Sequence, residues 1–232
     1  MISFVNVSKY FPGPGRSTHV VLNRANMRVD RGERVGILAP GGAGKTTLAR
    51  LITGAINPSA GAITRAARIS WPMGYSAALH PALTAAQNCV VAARLYNLDP
   101  TDLTLRVEHF AQIGGAFVQP VSLLAPAQRL QVAMGLSLSV DFDIYVADEY
   151  STVTSPEFQD KVEAALEARL AGAGLILLTR HRRLIERMTS RTLVLADSKL
   201  IECSSPEEAG LILELSQSAS LEANSEIPHA AA

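Results

Sequence analysis

Two short stretches hold residues whose types and spacing can do chemistry. The first is Gly36-Ile-Leu-Ala-Pro-Gly-Gly-Ala-Gly-Lys-Thr-Thr-Leu48, which joins an apolar, strand-like run to a helical one, Leu48 to Thr53. A glycine-rich turn between strand and helix aims backbone N–H groups into a concavity at a helix N-terminus, and such a concavity holds phosphate through peptide dipoles and free donors. The phosphate-binding residues expected are Ala39, Pro40, Gly41, Gly42, Ala43, Gly44, Lys45, Thr46 and Thr47. Lys45 adds a positive charge for the outer phosphates, and the Thr46 hydroxyl is a ligand for Mg²⁺. The pattern departs at one position: six residues before the lysine, where glycine is wanted, stands Ala39. If that position requires φ > 0, alanine costs about 1 kcal/mol there.

The second stretch is Phe142-Asp-Ile-Tyr-Val-Ala-Asp-Glu149, an apolar run ending in two carboxylates. It reads as a buried parallel strand, and in an open α/β sheet the carboxyl end of such a strand faces the ligand crevice. Asp148 is then the Mg²⁺ ligand, through water, and Glu149 the catalytic group that polarises the water attacking the terminal phosphate. Alone, paired acids at a strand end also suit a helix N-cap or a solvated turn. Following a phosphate loop, they complete a nucleoside-triphosphate site, with ATP and Mg²⁺ as the expected ligands.

Composition bounds what carries this chemistry. With 232 residues, 48% hydrophobic, the chain can bury a sizeable core in one domain, with or without a subdomain. Formal net charge is zero, so no electrostatic footprint points to nucleic acid. Cys89 and Cys203 stand far apart without metal spacing and read as buried thiols of a cytosolic protein. The start, Met-Ile-Ser-Phe-Val-Asn-Val, alternates like a strand and has no signal-peptide character. No apolar run reaches the roughly 18–20 residues that span a bilayer, so a membrane link would go through a partner.

The elements that must position the two stretches follow from periodicity. Ile2 to Val7, His19 to Leu22 and Asn26 to Val29 alternate around a Pro/Gly-rich loop at Phe11 to Gly15, an antiparallel β layer. Pro58 to Gly61 reads as a turn and Ile63 to Ile69 as a short strand. Helical patterns over Thr84 to Tyr96, Leu103 to Ile113 and Ala127 to Leu138 form a helical subdomain, about 76–140. Strands are expected at Ile144 to Ala147 and Leu175 to Thr179, a solvated helix at Pro156 to Leu170, and an Arg-rich helix from about Arg182. Thr192 to Leu195 and Leu200 to Glu202 read as a strand pair. The domain is expected to span 1–215, and the Ser/Ala/Glu-rich segment 216–232 to be a flexible tail.

Strand, phosphate loop, helical insert, acid strand and a late Arg/His turn, in this order, resemble an ATP-binding-cassette ATPase. Ile69-Ser-Trp-Pro-Met-Gly74, Leu83-Thr-Ala-Ala-Gln-Asn88, Ala92-Ala-Arg-Leu-Tyr96 and Ala133 to Asp143 narrow the resemblance to the nucleotide-binding subunit of capsular polysaccharide exporters. It covers about residues 1 to 205. The fold class implied is α/β, a phosphate-loop NTPase core of the cassette type with a mostly parallel sheet, an antiparallel β layer and a helical subdomain. The function implied is ATP hydrolysis driving export of a capsular or other surface polysaccharide. The subunit would sit on the cytoplasmic face of the bacterial inner membrane, bound to an ABC-2-type permease. It would pair with itself or with a second ATPase. Because the chain stops near the cassette's end, it is expected to lack the C-terminal carbohydrate-binding domain of some O-antigen exporters. Tyr10 or Phe11 would stack on adenine, as the family's early aromatic does, or be ordinary packing. Trp71 reads as packing.

The departures from the family are at least as informative. Cassette ATPases place ATP between the phosphate loop of one subunit and a Leu-Ser-Gly-Gly-Gln-like signature of the other. Here that turn is Leu124-Ala-Pro-Ala-Gln128. Ala125 lacks the hydroxyl that would touch the terminal phosphate, and Pro126 lacks an N–H. Proline is comfortable in a helix's first turn, so the helix should persist while its anion-binding face weakens. The glutamine between the subdomains appears as His80, and the aspartate that closes the dimer as Ser155. The catalytic switch histidine aligns without gaps to Arg180; a one-residue shift restores it as His181. His80 also suits an exposed loop, and Arg180, Arg182 and Arg183 a solvated face. The alternative function is a catalytically impaired ATP-binding scaffold that pairs with an active ATPase. A DNA-repair or translation ATPase is disfavoured, for want of a long heptad insertion, zinc spacing, a second cassette or a basic patch.

Overall fold

The computed structural model describes residues 1–13, 15, 17–149 and 155–225. β1 (Ile2–Pro12) and β2 (Thr18–Val29) form a long antiparallel ribbon. Ile2 and Phe4 are buried, as period-two alternation requires, and a register shift after Phe4 lets Val7 be buried as well. Asn6 and Arg24, at φ 49° and 48°, mark irregularities in its register. β2 is therefore one strand bent at Arg24, where the sequence suggests two short ones.

β3 (Arg34–Leu38) buries its apolar stretch Val35 to Leu38 inside a parallel sheet, and α1 (Lys45–Thr53) follows the phosphate loop, ending on Gly54 in the left-handed region. The expected strand from Ile63 to Ile69 is two elements instead. β4 (Ala60–Arg65) pairs with β1 in the antiparallel layer, and β5 (Ile69–Pro72) pairs with β6 in the parallel sheet. The chain changes sheets between them, held by the Ala66 N–H on Met1 O at 2.9 Å and the Arg68 N–H on Asp143 Oδ2 at 2.7 Å. Of the turn expected at 58–61, Ala60 and Gly61 already belong to β4, while Pro58 and Ser59 precede it. Gly61, at φ 81°, passes so near β1 that a Cβ would lie 2.3 Å from Asn6 O.

α2 (Ala85–Tyr96), α3 (Pro100–Ala111) and α4 (Pro126–Ser139) form the helical insert. Thr84 and Gln87 make a reciprocal capping box on α2, and Asp99 caps α3 ahead of Pro100. β6 (Ile144–Asp148), α5 (Pro156–Leu170), β7 (Gly174–Thr179), α6 (Arg182–Met188), β8 (Arg191–Ala196), β9 (Lys199–Cys203) and α7 (Pro206–Ser225) complete the chain. α7 runs past residue 215, so the tail expected from there is helical to Ser225; the Ser216 hydroxyl donates to Asp197 Oδ1 at 2.8 Å and ties it to the β8–β9 turn. The remainder of the expected tail lies outside the described residues.

The sheet order is β5-β6-β7-β3-β8-β9, parallel except for the β8–β9 pair. One face, with Ile37, Ile176 and Leu178, packs on α1 and the antiparallel layer. The other, with Leu175, Leu177 and Val194, packs on α4, α5, α6 and α7. Among the described residues no helix is long and apolar enough to cross a membrane.

Candidate functional site

The site is assembled where β3 and β6 end on the same edge of the sheet. After Leu38 the chain loops through Gly42 and Gly44, at φ 79° and 98°, into α1. A Cβ on Gly44 would lie 2.2 Å from Val21 Cγ1, so both its backbone angle and its neighbour demand glycine. Ala39 is different. It is not among the positive-φ residues, it is buried, and its N–H donates to Thr179 O at 3.0 Å. The strain considered for alanine at this position is absent: the left-handed turns fall on Gly42 and Gly44.

Lys45, 8% exposed, curls back over the loop. Its ammonium donates to Pro40 O at 2.8 Å and Ala39 O at 3.2 Å, and Glu149 Oε1 lies 3.2 Å away as an ion-pair neighbour. The Thr46 hydroxyl donates to Asp148 Oδ2 at 2.9 Å, which joins residues 102 positions apart. Burial raises the Asp148 carboxyl above the ordinary carboxylate range; the Thr46 bond pulls the other way, and the Glu149 charge adds to the rise. Glu149 is held at φ 46°, unusual for a residue with a side chain, while its N–H donates to Leu178 O at 3.0 Å. Its Oε1 is shielded from solvent and accepts no hydrogen bond. These groups, with Gly41, Gly42, Gly44 and Thr47, line a cleft of about 460 Å³.

The arrangement fits a magnesium nucleoside triphosphate on its own chemistry. A buried ammonium and a glycine turn offer positive charge and backbone donors to phosphate. A hydroxyl paired with a carboxylate supplies the two oxygen ligands that a hydrated Mg²⁺ commonly takes from protein. Glu149, with about 33% of its side chain exposed, presents a carboxylate to the cleft that can accept a hydrogen bond from water.

The remaining expected residues are scattered. Tyr10, 47% exposed, sits on β1 opposite Val20 and does not line the cleft. Neither do Ala43 and His181. Ala39 and Pro40 act through the carbonyls that receive Lys45. His80 is exposed in the turn before α2, clasped by Asn88, which accepts from its N–H at 2.7 Å and donates to its O at 3.2 Å. Ala125 is the N-cap of α4; its N–H donates to Gln128 Oε1 at 3.0 Å, and alanine has no oxygen to return that bond. Ala125, Pro126 and Ala127 are exposed, and the helix persists as expected. Ser155 caps α5, its hydroxyl accepting the Phe158 N–H at 3.4 Å. Trp71 is packing, as expected: its Nε1 donates to Ser137 Oγ at 2.8 Å and its ring meets Phe142 edge-on at 5.3 Å. Sequence reasoning missed Thr179, which is fully buried and receives both the Ala39 and the His181 N–H groups, at 3.0 and 3.1 Å. Its role depends on strand order, which no local pattern announces.

A phosphate loop and an acid strand on neighbouring parts of one parallel sheet, with an antiparallel layer on one side and a helical insert on the other, define a cassette-type ATPase fold. The ABC transporter family model matches residues 22–152, more than half of the chain, and the chain belongs to that family. Among curated relatives it is 32% identical over 210 residues to the capsule polysaccharide export ATP-binding protein CtrD of Neisseria meningitidis serogroup B, covering 90% of this chain and 96% of that protein. It is 36% identical over 180 residues to the ATP-binding protein BexA of Haemophilus influenzae, covering 77% and 82%. It is 29% identical over 204 residues to the polysialic acid transport ATP-binding protein KpsT of Escherichia coli, covering 87% and 90%. Among solved structures, a post-hydrolysis dimer of the ATP-binding cassette MJ0796 bound to ADP and Pi superposes with a TM-score of 0.73 at 20% identity, over 86% of this chain and 96% of that one, a likeness of fold.

Proposed function

We propose that this chain is the ATP-binding and ATP-hydrolysing subunit of a transporter that exports a capsular or other surface polysaccharide. The observation that carries the ATPase reading is the joining of Lys45 to Glu149 at 3.2 Å and of Thr46 to Asp148 at 2.9 Å across one cleft. The export reading is supported by the relatives named for capsule and polysialic acid export, which the chain matches over most of its length. In this reading Lys45 and the N–H groups of the loop hold the phosphates, and Thr46 and Asp148 hold Mg²⁺. Mg²⁺ held there would withdraw charge from the phosphates. Glu149 accepts a hydrogen bond from the attacking water. The subunit works from the cytoplasmic face of the inner membrane through an ABC-2-type permease, as one of two ATPase subunits.

Titration with a fluorescent ATP analogue tests the core of this. Lys45→Ala should weaken binding severely; equal affinity in both proteins would overturn the reading.

A second reading, an impaired ATPase completed by a different partner, is favoured by the α4 N-terminus. Pro126 there has no N–H, and the N-cap side chain is a methyl. Loss of one donor aimed at a transition-state anion is worth about 10²–10³ in rate. Replacing Ala125, Pro126 and Ala127 with Ser, Gly and Gly should therefore raise kcat of the self-paired protein more than it changes ATP affinity. An unmodified protein that turns over at about 1 s⁻¹ or faster, with no gain from the triple change, removes this second reading.

A further inference from the structure

A second hollow lies on the seam between the helical insert and the core, and it shares no lining residue with the phosphate cleft. It measures about 420 Å³, within the range of small-molecule sites. α3 contributes Arg106, His109 and Phe110, the end of α4 contributes Leu138, and α5 contributes Ala165 and Arg169. Two guanidiniums and an imidazole thus stand beside apolar surface. Three helices end near this point, and a helix C-terminus by itself repels anions. Those ends are already capped. Lys161 Nζ donates to Phe110 O at 2.9 Å and to His109 O at 3.3 Å. The Tyr145 hydroxyl donates to Val140 O at 2.9 Å, just past α4, and Arg34 Nη2 to Leu170 O at 3.2 Å. Arg106 and Arg169 are therefore not spent on the helix ends.

Each guanidinium meets one acid at the rim: Arg106 pairs with Asp102 at 2.8 Å, and Arg169 pairs with Asp141. Both acids are well exposed, and exposed pairs contribute little, so each cation stays open to a competing anion. One donor has no partner at all. Arg106 Nε is shielded from water and, among the described residues, meets no acceptor. A buried donor left unpaired costs free energy, and a native structure that keeps one calls for an explanation. A ligand oxygen onto which the half-exposed guanidinium turns supplies it.

We propose that this hollow binds a small organic carboxylate, its charge held by Arg106 and Arg169 and its apolar body by Phe110, Leu138 and Ala165. A guanidinium fork matches a carboxylate in one plane. A phosphate also suits a guanidinium, but its remaining oxygens would be buried against apolar surface, at a cost. An organic acid places its apolar body there instead. The ligand joins α3 of the insert to α5 of the core, and its binding requires no nucleotide.

The test is a fluorine NMR titration of the whole purified chain with a fluorinated benzoate, in the absence of nucleotide. Binding should saturate, with Kd about 1 mM or tighter. Arg106→Met and Arg169→Met keep the alkyl packing and remove the donors. Each should weaken binding about tenfold, the worth of one charge-assisted hydrogen bond. Arg106→Lys keeps the charge without the Nε–H and should recover part of the loss. Arg94→Met, at an exposed arginine on α2, should stay within twofold of wild type. In competition, inorganic phosphate and benzyl alcohol should each displace the probe at least tenfold less well than benzoate. No saturable binding to the wild-type chain, or unchanged affinity in both Arg106→Met and Arg169→Met, overturns the proposal. Phosphate competing as well as benzoate overturns the organic ligand, and benzyl alcohol competing as well overturns the need for an anion.

Discussion

Replacing Gly44 with alanine tests whether the shape of the phosphate loop is specified as strictly as its charge. Gly44 sits at φ 98°, ψ 21°, and a Cβ there would lie 2.2 Å from Val21 Cγ1. The left-handed backbone costs alanine about 1–2 kcal/mol. Displacing the Val21 methyl costs about 1–3 kcal/mol, the usual range for overfilling a packed site. The sum, about 3 kcal/mol, is a large part of the 5–15 kcal/mol typical of a whole domain. Val21 is 6% exposed, and Val21→Ala alone removes two buried methyl groups, about 1.5 kcal/mol. In the double variant the clash is gone, and the backbone strain and the lost methyl groups remain. Its loss should therefore fall short of the summed single losses by the clash, about 1–3 kcal/mol. Urea unfolding of the four proteins, followed by far-ultraviolet circular dichroism, completes the cycle. Additivity within about 0.5 kcal/mol would refute the clash, and a Gly44→Ala protein as stable as wild type would refute the strain as well. Ala39→Gly is the opposite case. With no positive φ to relieve, it should lower stability by about 0.5–1 kcal/mol, through the entropy of the unfolded chain.

Two further outcomes follow from buried groups. Burial raises the Asp148 carboxyl, so its ionisation costs stability: the cost is absent below the ordinary value of 3.8, grows as pH rises through the elevated value, and is constant above it. With a chelator present, Asp148→Asn should therefore raise Tm at pH 7, by a margin that closes as the pH falls toward about 3; a margin that is flat or widens in acid contradicts this. Burial also pushes the Cys89 thiol up to about 12, and Cys203 is buried and raised as well. A disulfide-exchange reagent at pH 8 should find no fast thiol in the native protein and both in urea, since only about one Cys89 in 10⁴ is ionised there; one equivalent reacting at once in the native protein would count against the burial of that thiol.

What could be read from the sequence was whatever chemistry dictates locally. Gly42, Gly44, Lys45 and Thr46 occupy a turn that few other residue types can build, and the apolar run into Asp148 and Glu149 announces its own burial. Thr84 with Gln87, and Asp99 with Pro100, mark the starts of α2 and α3 because N-terminal donors need those partners. What escaped depends on relations between distant segments. The stretch 63–69 reads as one strand because its apolar residues run on, yet Arg65 ends β4 in one sheet and Ile69 begins β5 in another. Ala39 looked strained because the motif wants glycine there, whereas its backbone is tied to Thr179 across a strand that starts 135 residues later in the chain.

Several costs of different kinds meet at the cleft. Lys45 is a nearly buried cation whose charge is met by two carbonyls and one carboxylate. Asp148 is an acid kept above its ordinary range, and Glu149 is a side-chain-bearing residue held at φ 46°, with one carboxylate oxygen shielded and without a donor. A left-handed non-glycine residue costs on the order of 1–3 kcal/mol and persists only where its surroundings fix it; here the Glu149 N–H on Leu178 O does so. Left-handed residues with side chains occur elsewhere too, at Asn6, Arg24, Asn97, Gln112, Asp197 and Ser198; what sets the cleft apart is that a nearly buried cation, a raised acid and a left-handed glutamate meet there. Their coincidence points to function at these residues, because different local rules broken together in one cleft are the pattern expected where a sequence gives up stability for chemistry. Substitutions that relieve these positions, Asp148→Asn first among them, should thus stabilise the nucleotide-free chain while weakening the site.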